Sequence, residues 1–281
     1  MTNNQLPPET TFLIDFNLHW VPAALGLDVP PAAAAEMMGI TEAQFLAYAA
    51  EAEAQVSRTA NTLLANSELA RAVDQLAVPA RGTMMAIGDS ITTYRYGYAR
   101  LLEAMLALRR PNDQIQFLNV AQSGYTSTHG LENVYTQFLA HQPDWVSIKF
   151  GVNDCKLFGG PQAKTLVSFE EYRANMAAMV EAFLNHSSAR PILFTPAPVI
   201  EDVVNNNPDF QLMQMTWSNA DIRAMAGAVQ DLAHQHGLPL IDLVELFSDS
   251  PDPALYLPDG LHPGPPGQVL ILEAVLRTLV E

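Results

Sequence analysis

Five short apolar segments alternate with helical segments after residue 80, and this alternation restricts the fold more than any other feature of the chain. The apolar segments have the length of β-strands and span residues 83–87, 115–120, 145–150, 191–197 and 239–243. Helical spacing of apolar residues fills the stretches around 96–109, 128–141, 169–186 and 216–236. Because parallel strands need crossover connections of this kind, the pattern predicts an α/β fold with a five-stranded, parallel, doubly wound sheet.

The N-terminal part of the chain has a helical pattern instead. A T-x-x-Q capping box at Thr41 precedes a long amphipathic helix predicted over 42–65, and a shorter helix is predicted over 67–76. The stretch before Pro31 has a mixed pattern and predicts no element. We therefore divide the chain into a helical N-terminal extension, residues 1–80, and an α/β domain, residues 81–281.

The long helix of the extension has one apolar stripe that needs a partner. An isolated helix of this kind is only marginally stable in water. The stripe therefore predicts that the helix packs on the α/β domain or on a second subunit. In the second case the N-terminal helices would hold a homo-oligomer together.

The strong negative charge narrows the range of partners. The sequence has 30 acidic and 14 basic residues, which gives a formal net charge of −16 at pH 7. Such a chain repels phosphate backbones and anionic lipid, so we expect neither nucleic acid nor a membrane surface as a partner. A small-molecule substrate is favoured.

Cysteine content and the N-terminal sequence bear on location. The single cysteine, Cys155, excludes an internal disulfide and a metal site built from several cysteines. The stretch MTNNQLPPETTFLIDF lacks a basic region followed by an apolar one, and no segment reaches about 18 uninterrupted apolar residues. These features predict a cytoplasmic protein. The Cys155 thiol would be reactive only if exposed, and a buried thiol is the commoner arrangement.

Polar residues follow several of the predicted strands at the point where each strand ends. The first strand ends in GDS at 88–90, the second in NVAQSG at 119–124 and the third in GVND at 151–154, while DGLH at 259–262 comes after the last strand and a loop. Ligands of open parallel sheets bind outside the carboxyl ends of the strands. These motifs supply a hydroxyl, backbone and side-chain amides, and a carboxylate–imidazole pair, which are the groups that acyl transfer needs.

Each of these groups has a chemical reason to be present. A serine hydroxyl is a weak nucleophile, so Ser90 needs a base, and His262 is the candidate. Asp259 lies three residues before His262, so one tight turn can direct its carboxylate at the imidazole. The oxyanion of a tetrahedral intermediate needs donors, for which the candidates are the amides of Ser90 and Gly124 and the side chain of Asn153.

At these four motifs the sequence resembles the SGNH hydrolases, also called GDSL lipases and esterases, and the motifs occur in the order found in that family. The resemblance covers roughly Gly82 to the C terminus and leaves the first 80 residues outside. It implies a three-layer α/β/α fold of the SGNH, flavodoxin-like type. It also implies hydrolysis of carboxylic esters or thioesters by a serine mechanism that uses no cofactor and no metal.

The resemblance also assigns roles to residues. Ser90 corresponds to the nucleophile that forms the acyl-enzyme, and Asp259 and His262 correspond to the other members of the catalytic triad. Gly124 and Asn153 correspond to oxyanion donors. The loops at 155–167 and 198–217 are expected to shape the substrate pocket, whose individual residues the sequence does not identify.

Three other functions use the same residues. An acyltransferase would pass the acyl group to an alcohol instead of water. A catalytically inactive relative would act as a binding module through its helical extension, although intact Ser90 and His262 argue against this alternative. A metal-dependent phosphoesterase would use oxygen and nitrogen ligands from Asp89, Asn153, Asp154 and His262. We expect Asp89 and Asp154 instead to be structural, bonding to nearby amides. The sequence does not identify the acyl length or the alcohol.

Overall fold

A five-stranded parallel sheet forms the centre of the protein in a computed structural model, which describes residues 6–17, 30–160, 163–248 and 251–280. The strands in chain order are β1 (Thr83–Gly88), β2 (Gln116–Asn119), β3 (Trp145–Lys149), β4 (Leu157–Phe158), β5 (Arg190–Phe194), β6 (Met215–Thr216) and β7 (Leu240–Ile241). The main sheet has the order β2-β1-β3-β5-β7, and β4 pairs with β6 in a separate antiparallel ribbon. The predicted five-stranded parallel sheet is confirmed.

Helices cover both faces of the sheet and give the predicted three layers. In chain order they are α1 (Pro8–Asn17), α2 (Pro31–Met37), α3 (Glu42–Leu64), α4 (Ser67–Gln75), α5 (Ser90–Thr93), α6 (Tyr98–Arg109), α7 (Ser127–Asn133), α8 (Phe169–His186), α9 (Glu201–Val204), α10 (Pro208–Leu212), α11 (Asn219–His236), α12 (Leu243–Phe247) and α13 (Pro265–Val280). The helices α6 and α13 form one layer, with α3 and α4 packed beside them, and α7, α8 and α11 form the other layer.

The register of the central strands positions the site. The strand β1 pairs with β2 on one side and with β3 on the other, and Gly88 lies beside Lys149 at the carboxyl ends of β1 and β3. The chain changes direction across the sheet between these two strands, and crevices for ligands form at such points. The loops after β1 and β3 therefore lie beside each other at the carboxyl edge of the sheet.

Some predicted boundaries are wrong for local reasons. The strand predicted over 191–197 ends at Phe194 because Pro196 and Pro198 cannot donate to a strand ladder. The strand predicted over 239–243 ends at Ile241 because Asp242 caps the next helix, accepting from the amides of Val244 and Glu245.

Two predicted helices also differ from the structure. The helix predicted over 128–141 is α-helical only to Asn133 and continues as a π turn and a 3-10 turn. The helix predicted over 216–236 begins at Asn219, because Met215 and Thr216 belong to β6 and Ser218 is the N-cap. No helix was predicted at α1, α2 or α13.

The extension contributes to two hydrophobic clusters. From α3 and α4, Val56, Ala60 and Val73 are buried in the same cluster as the strands of the sheet. The residues Ile14, Ala34, Ala35 and Phe45 form a smaller cluster of their own. The apolar stripe of α3 therefore packs on α6 of the same chain, which is the first of the two predicted arrangements. The division at residue 80 and a homo-oligomer stay predictions.

Candidate active site

Ser90 occupies the corner between β1 and α5. The carboxylate of Asp89 caps α5 by accepting a hydrogen bond from the Ile91 amide at 3.0 Å. Both oxygens of Asp89 also accept from the Lys149 ammonium, at 3.0 and 3.1 Å, and neither side chain is exposed. A fully buried ion pair thus fixes the backbone on which Ser90 lies, in agreement with the structural role expected for Asp89.

A continuous series of hydrogen bonds joins Ser90, His262 and Asp259. The Ser90 Oγ lies 2.9 Å from His262 Nε2, and His262 Nδ1 lies 2.6 Å from Asp259 Oδ2. Because a carboxylate only accepts hydrogen bonds, Nδ1 carries the proton and leaves Nε2 free to accept from the serine hydroxyl. Ser90 and His262 are buried, whereas the Asp259 side chain is 17% exposed.

The environment keeps Asp259 ionised. Burial acts to raise the pKa of its carboxyl group, but electrostatic attraction from the His262 ring and hydrogen bonds from His262 and the Leu261 amide hold this pKa below its ordinary value. The second oxygen, Oδ1, accepts from the amides of Leu261 and His262 at 2.9 and 3.0 Å. The tight turn predicted from the three-residue spacing is therefore present.

The turn that carries Asp259 and His262 is packed against the loop after β5. Its glycine, Gly260, has φ of +71°, and a Cβ at this position would lie 2.8 Å from the Val203 Cβ. The Gly260 carbonyl accepts from the Ile200 amide at 2.9 Å. The loop at 198–217, which was expected to shape the substrate pocket, thus supports the turn.

The remaining predicted site residues follow β2 and β3. Asn153 is 6% exposed, and its Nδ2 donates to the Tyr125 carbonyl at 3.0 Å. Gly124, directly before Tyr125, has φ of +81°. The Gln122 amide bonds to the Gly88 carbonyl at 3.0 Å, so this loop is tied to the end of β1. The structure therefore places Asn153 and the Gly124 loop side by side, while their role as oxyanion donors stays a prediction.

Asp154 and Cys155 are buried behind this loop. Asp154 Oδ1 accepts from the amide and hydroxyl of Ser127 at 2.9 and 2.5 Å, and burial raises the pKa of its carboxyl group to about 6. Cys155 has no exposed surface, and burial raises the pKa of its thiol. The thiol is therefore in the unreactive arrangement.

Two features of the site were missed in the sequence. In the sequence, Lys149 falls within a predicted apolar strand. Its ion pair with Asp89 becomes visible only because the fold places it beside the GDS motif at 88–90. The other is the helix α1, whose Phe16 ring lies 4.7 Å from the ring centres of both His262 and Tyr94. The i, i+4 spacing of Phe12 and Phe16 was a signal for a helix with one aromatic face.

Two kinds of site or segment are missing from the part of the chain that the structure describes. Among these residues, no group of three or more His, Cys, Asp or Glu side chains could hold a metal ion. Within the same ranges, no helix is both long and apolar enough to cross a membrane.

The fold and the four loops at its carboxyl edge define a three-layer hydrolase of the SGNH type. Residues 86–270 match the GDSL-like lipase/acylhydrolase family, and the chain belongs to this family. It is therefore a carboxylic ester hydrolase. The matched residues exclude the extension, as the resemblance in the sequence predicted.

Relatives and solved structures agree with this assignment. The isoamyl acetate-hydrolyzing esterase 1 homolog of Homo sapiens is 29% identical over 194 residues, covering 66% of this chain and 75% of that protein. The GDSL esterase/lipase CPRD49 of Arabidopsis thaliana is 24% identical over 211 residues, covering 72% and 80%. A catalytic mutant of an acetylxylan esterase from Geobacillus stearothermophilus superposes with a TM-score of 0.57 at 23% identity, covering 72% of this chain and 95% of that chain. At 23% identity, the similarity to the solved acetylxylan esterase structure is evidence for the fold alone.

Proposed function

We propose that the protein hydrolyses acetyl esters of small neutral alcohols through an acyl-enzyme on Ser90. The observation that carries the serine mechanism is the hydrogen-bonded series from Ser90 through His262 to Asp259. The acetyl preference is supported by two similar proteins of different origin, named for isoamyl acetate and for acetylxylan. A net charge of −16 favours neutral substrates and the departure of an anionic carboxylate product.

The first half of the reaction forms the acyl-enzyme. The Ser90 Oγ attacks the ester carbonyl carbon while its proton passes to His262 Nε2, and the ionised Asp259 stabilises the resulting imidazolium. The carbonyl oxygen becomes an oxyanion, for which the amides of Ser90 and Gly124 and the side chain of Asn153 are the donors. The intermediate collapses as the C–O bond to the alcohol breaks, and His262 Nε2 returns its proton to the departing oxygen.

The second half regenerates the enzyme. A water molecule gives a proton to His262 Nε2 and attacks the acyl carbon, and the same donors bind the second oxyanion. The bond to the Ser90 Oγ then breaks, the proton on His262 returns to the serine oxygen, and the carboxylic acid leaves. If an alcohol replaces this water, the same steps give acyl transfer.

The bonding of the two site aspartates argues against the phosphoesterase alternative. Asp89 directs both oxygens at the Lys149 ammonium, and Asp154 directs one at Ser127. A lysine ammonium beside Asp89 would repel a divalent cation. The serine mechanism is therefore the better use of these residues.

Labelling with a fluorophosphonate tests the role of Ser90. The reagent resembles the tetrahedral intermediate, so it should phosphonylate Ser90 stoichiometrically. Labelling should be abolished in Ser90→Ala, fall steeply in His262→Ala and persist in the control Ser57→Ala, whose serine is exposed on α3. Label on another residue, or none on the folded protein, would contradict the mechanism, and the absence of label would favour an inactive binding relative. If a metal chelator abolished ester hydrolysis, the result would favour the metal-dependent phosphoesterase.

A series of p-nitrophenyl esters tests the acyl group. We expect kcat/KM to be highest for acetate and to fall through butyrate, hexanoate and octanoate. A maximum at a longer acyl chain would contradict the acetyl preference while leaving the serine mechanism intact. Adding acceptor alcohols and measuring the ester formed separates hydrolysis from acyl transfer.

The cytoplasmic location also stays a prediction, which cell fractionation tests.

A further inference from the structure

The helix α1 brings two phenylalanines to the imidazole of His262. Phe16 is 1% exposed, and its ring lies between His262 and Tyr94, with ring centres 4.7 Å apart in both pairs. The Phe12 ring lies one helical turn away, with its centre 5.9 Å from that of the imidazole and with 40% of its surface exposed. Phe16 thus packs against His262 in the protein interior, and Phe12 packs against it on the solvent side.

The structure holds α1 in this position through several contacts. The backbone carbonyl of Asp15 accepts from the Arg95 amide at 2.9 Å, directly beyond the helix that begins at Ser90. The carboxylate of Asp15 accepts from the Tyr48 hydroxyl at 2.9 Å. Ile14 is fully buried in the smaller hydrophobic cluster with Phe45. The ring of Phe12 is therefore presented to the site by an anchored helix.

The chemistry of the reaction tells which part of the substrate lies beside Phe12. His262 must deliver its proton to the departing oxygen, so the alcohol portion of the ester lies next to the imidazole. The candidate oxyanion donors Gly124 and Asn153 come from other loops, after β2 and β3. A side chain in contact with His262 consequently borders the alcohol portion.

We infer that Phe12 is a specificity-determining residue that forms an apolar wall for the alcohol portion of the ester, with Phe16 as the positioning residue beneath the imidazole. The ligand class is a short alkyl or aryl alcohol esterified to a small acyl group. This inference rests on the proposed function. It places part of the alcohol subsite in the N-terminal extension, outside the residues 86–270 that match the family.

A series of alkyl acetates from methyl to hexyl tests the inference in the full-length enzyme. Each methylene buried against an apolar wall contributes about fourfold to kcat/KM. The variant Phe12→Ala should weaken this dependence and lower kcat/KM for hexyl acetate about tenfold more than for methyl acetate. Phe12→Leu, which keeps an apolar side chain, should retain most of the dependence.

A matched control and a second ester series separate this role from a general loss of structure. Leu13, on the same helix, is 45% exposed, and Leu13→Ala should leave the dependence on alcohol length as in the wild type. For methyl esters of increasing acyl length, Phe12→Ala should lower kcat/KM by the same factor at every length. Fluorophosphonate labelling of Ser90 in the variant reports an assembled triad.

The outcomes distinguish this inference from the proposed function. Equal losses for methyl and hexyl acetate, or a change in acyl-length preference, would overturn the role of Phe12 and leave the esterase mechanism standing. A wild-type enzyme that hydrolyses no ester of either series would overturn the proposed function, and this inference with it.

Discussion

The Phe16 ring lies 4.7 Å from the His262 imidazole, although the two residues belong to opposite ends of the chain. The contact joins the N-terminal extension to the residue that moves the proton in the proposed mechanism. Because Phe16 also stacks on Tyr94, just after α5, the extension contacts two of the segments that form the site. The extension therefore forms part of the surroundings of the active site, in addition to its contribution to the hydrophobic core.

Two deletions of different length within the extension should destabilise the protein to different degrees. Deleting residues 1–78 removes Val56, Ala60 and Val73 from the main core, so the melting temperature and solubility should fall. Deleting only residues 1–29 removes α1 and should cause a smaller fall but a slower rate of fluorophosphonate labelling, because the imidazole loses Phe16. Thermal unfolding and labelling rates measure both effects. A 1–78 deletion as stable and soluble as the full chain would show that the core does not need the extension.

Asn153→Ala should lower kcat about 100-fold or more with little change in KM. The reason is that the side-chain amide stabilises charge that develops only in the transition state. Steady-state kinetics with a p-nitrophenyl ester measures both constants. A raised KM with unchanged kcat would instead make Asn153 a residue that binds the ground state.

Gly260→Ala should lower kcat far more than the same substitution at another glycine with a positive φ. Alanine at this position has a strained φ and its Cβ would collide with Val203, so the turn that carries Asp259 and His262 must shift. Gly237→Ala is the matched control, since Gly237 has a similar φ of +62° with nothing within 4 Å of an added Cβ. We expect both variants to lose stability and only Gly260→Ala to lose most of its kcat. Equal activities in the two variants would show that the turn tolerates the shift.

Periodicity and motif order predicted the sheet and the four loops of the site, because the carboxyl ends of parallel strands converge on one edge. Strand lengths after residue 190 were overestimated, since apolar character continues through Pro196 whereas strand pairing cannot. The contact of Phe12 and Phe16 with His262 was not predictable, because it joins distant parts of the chain through tertiary packing. The burial of Lys149 was missed for a similar reason, as its partner Asp89 lies on a neighbouring strand end.

The buried pair of Lys149 and Asp89 should make stability sensitive to the loss of either charge alone. Lys149→Met leaves the Asp89 carboxylate buried without its cation, which should cost about 3–5 kcal/mol in the free energy of unfolding. The double variant Lys149→Met/Asp89→Asn should recover much of this loss, because asparagine is neutral and can still accept from the Ile91 amide. Urea unfolding of the four proteins in the cycle measures the coupling. Additive losses in the double variant would show that the two groups do not act as a pair.

The pH dependence of stability should show the burial of Asp15. Burial raises the pKa of its carboxyl group to about 6, while the hydrogen bond from Tyr48 and the charge of Arg95 oppose that shift. The folded protein therefore holds this proton more tightly than the unfolded chain does, and the stabilisation is complete below about pH 4 and lost as the pH rises to about 6. Asp15→Asn removes this titration, so the stability of the variant relative to the wild type should increase between pH 4 and pH 6.

Asp74→Asn gives a control of opposite sign. The Arg109 hydrogen bond lowers the pKa of the exposed Asp74, so its small contribution is present at neutral pH and is lost as the pH falls. The stability of Asp74→Asn relative to the wild type should therefore decrease slightly from pH 4 to pH 6. Urea midpoints at pH 4, 5, 6 and 7 for the three proteins give both differences, and titrations common to all three cancel. A flat difference for Asp15→Asn would mean that the pKa of Asp15 is the same in the folded and unfolded states, and a difference that falls with pH would mean that folding lowers this pKa. Either result would contradict a pKa raised by burial.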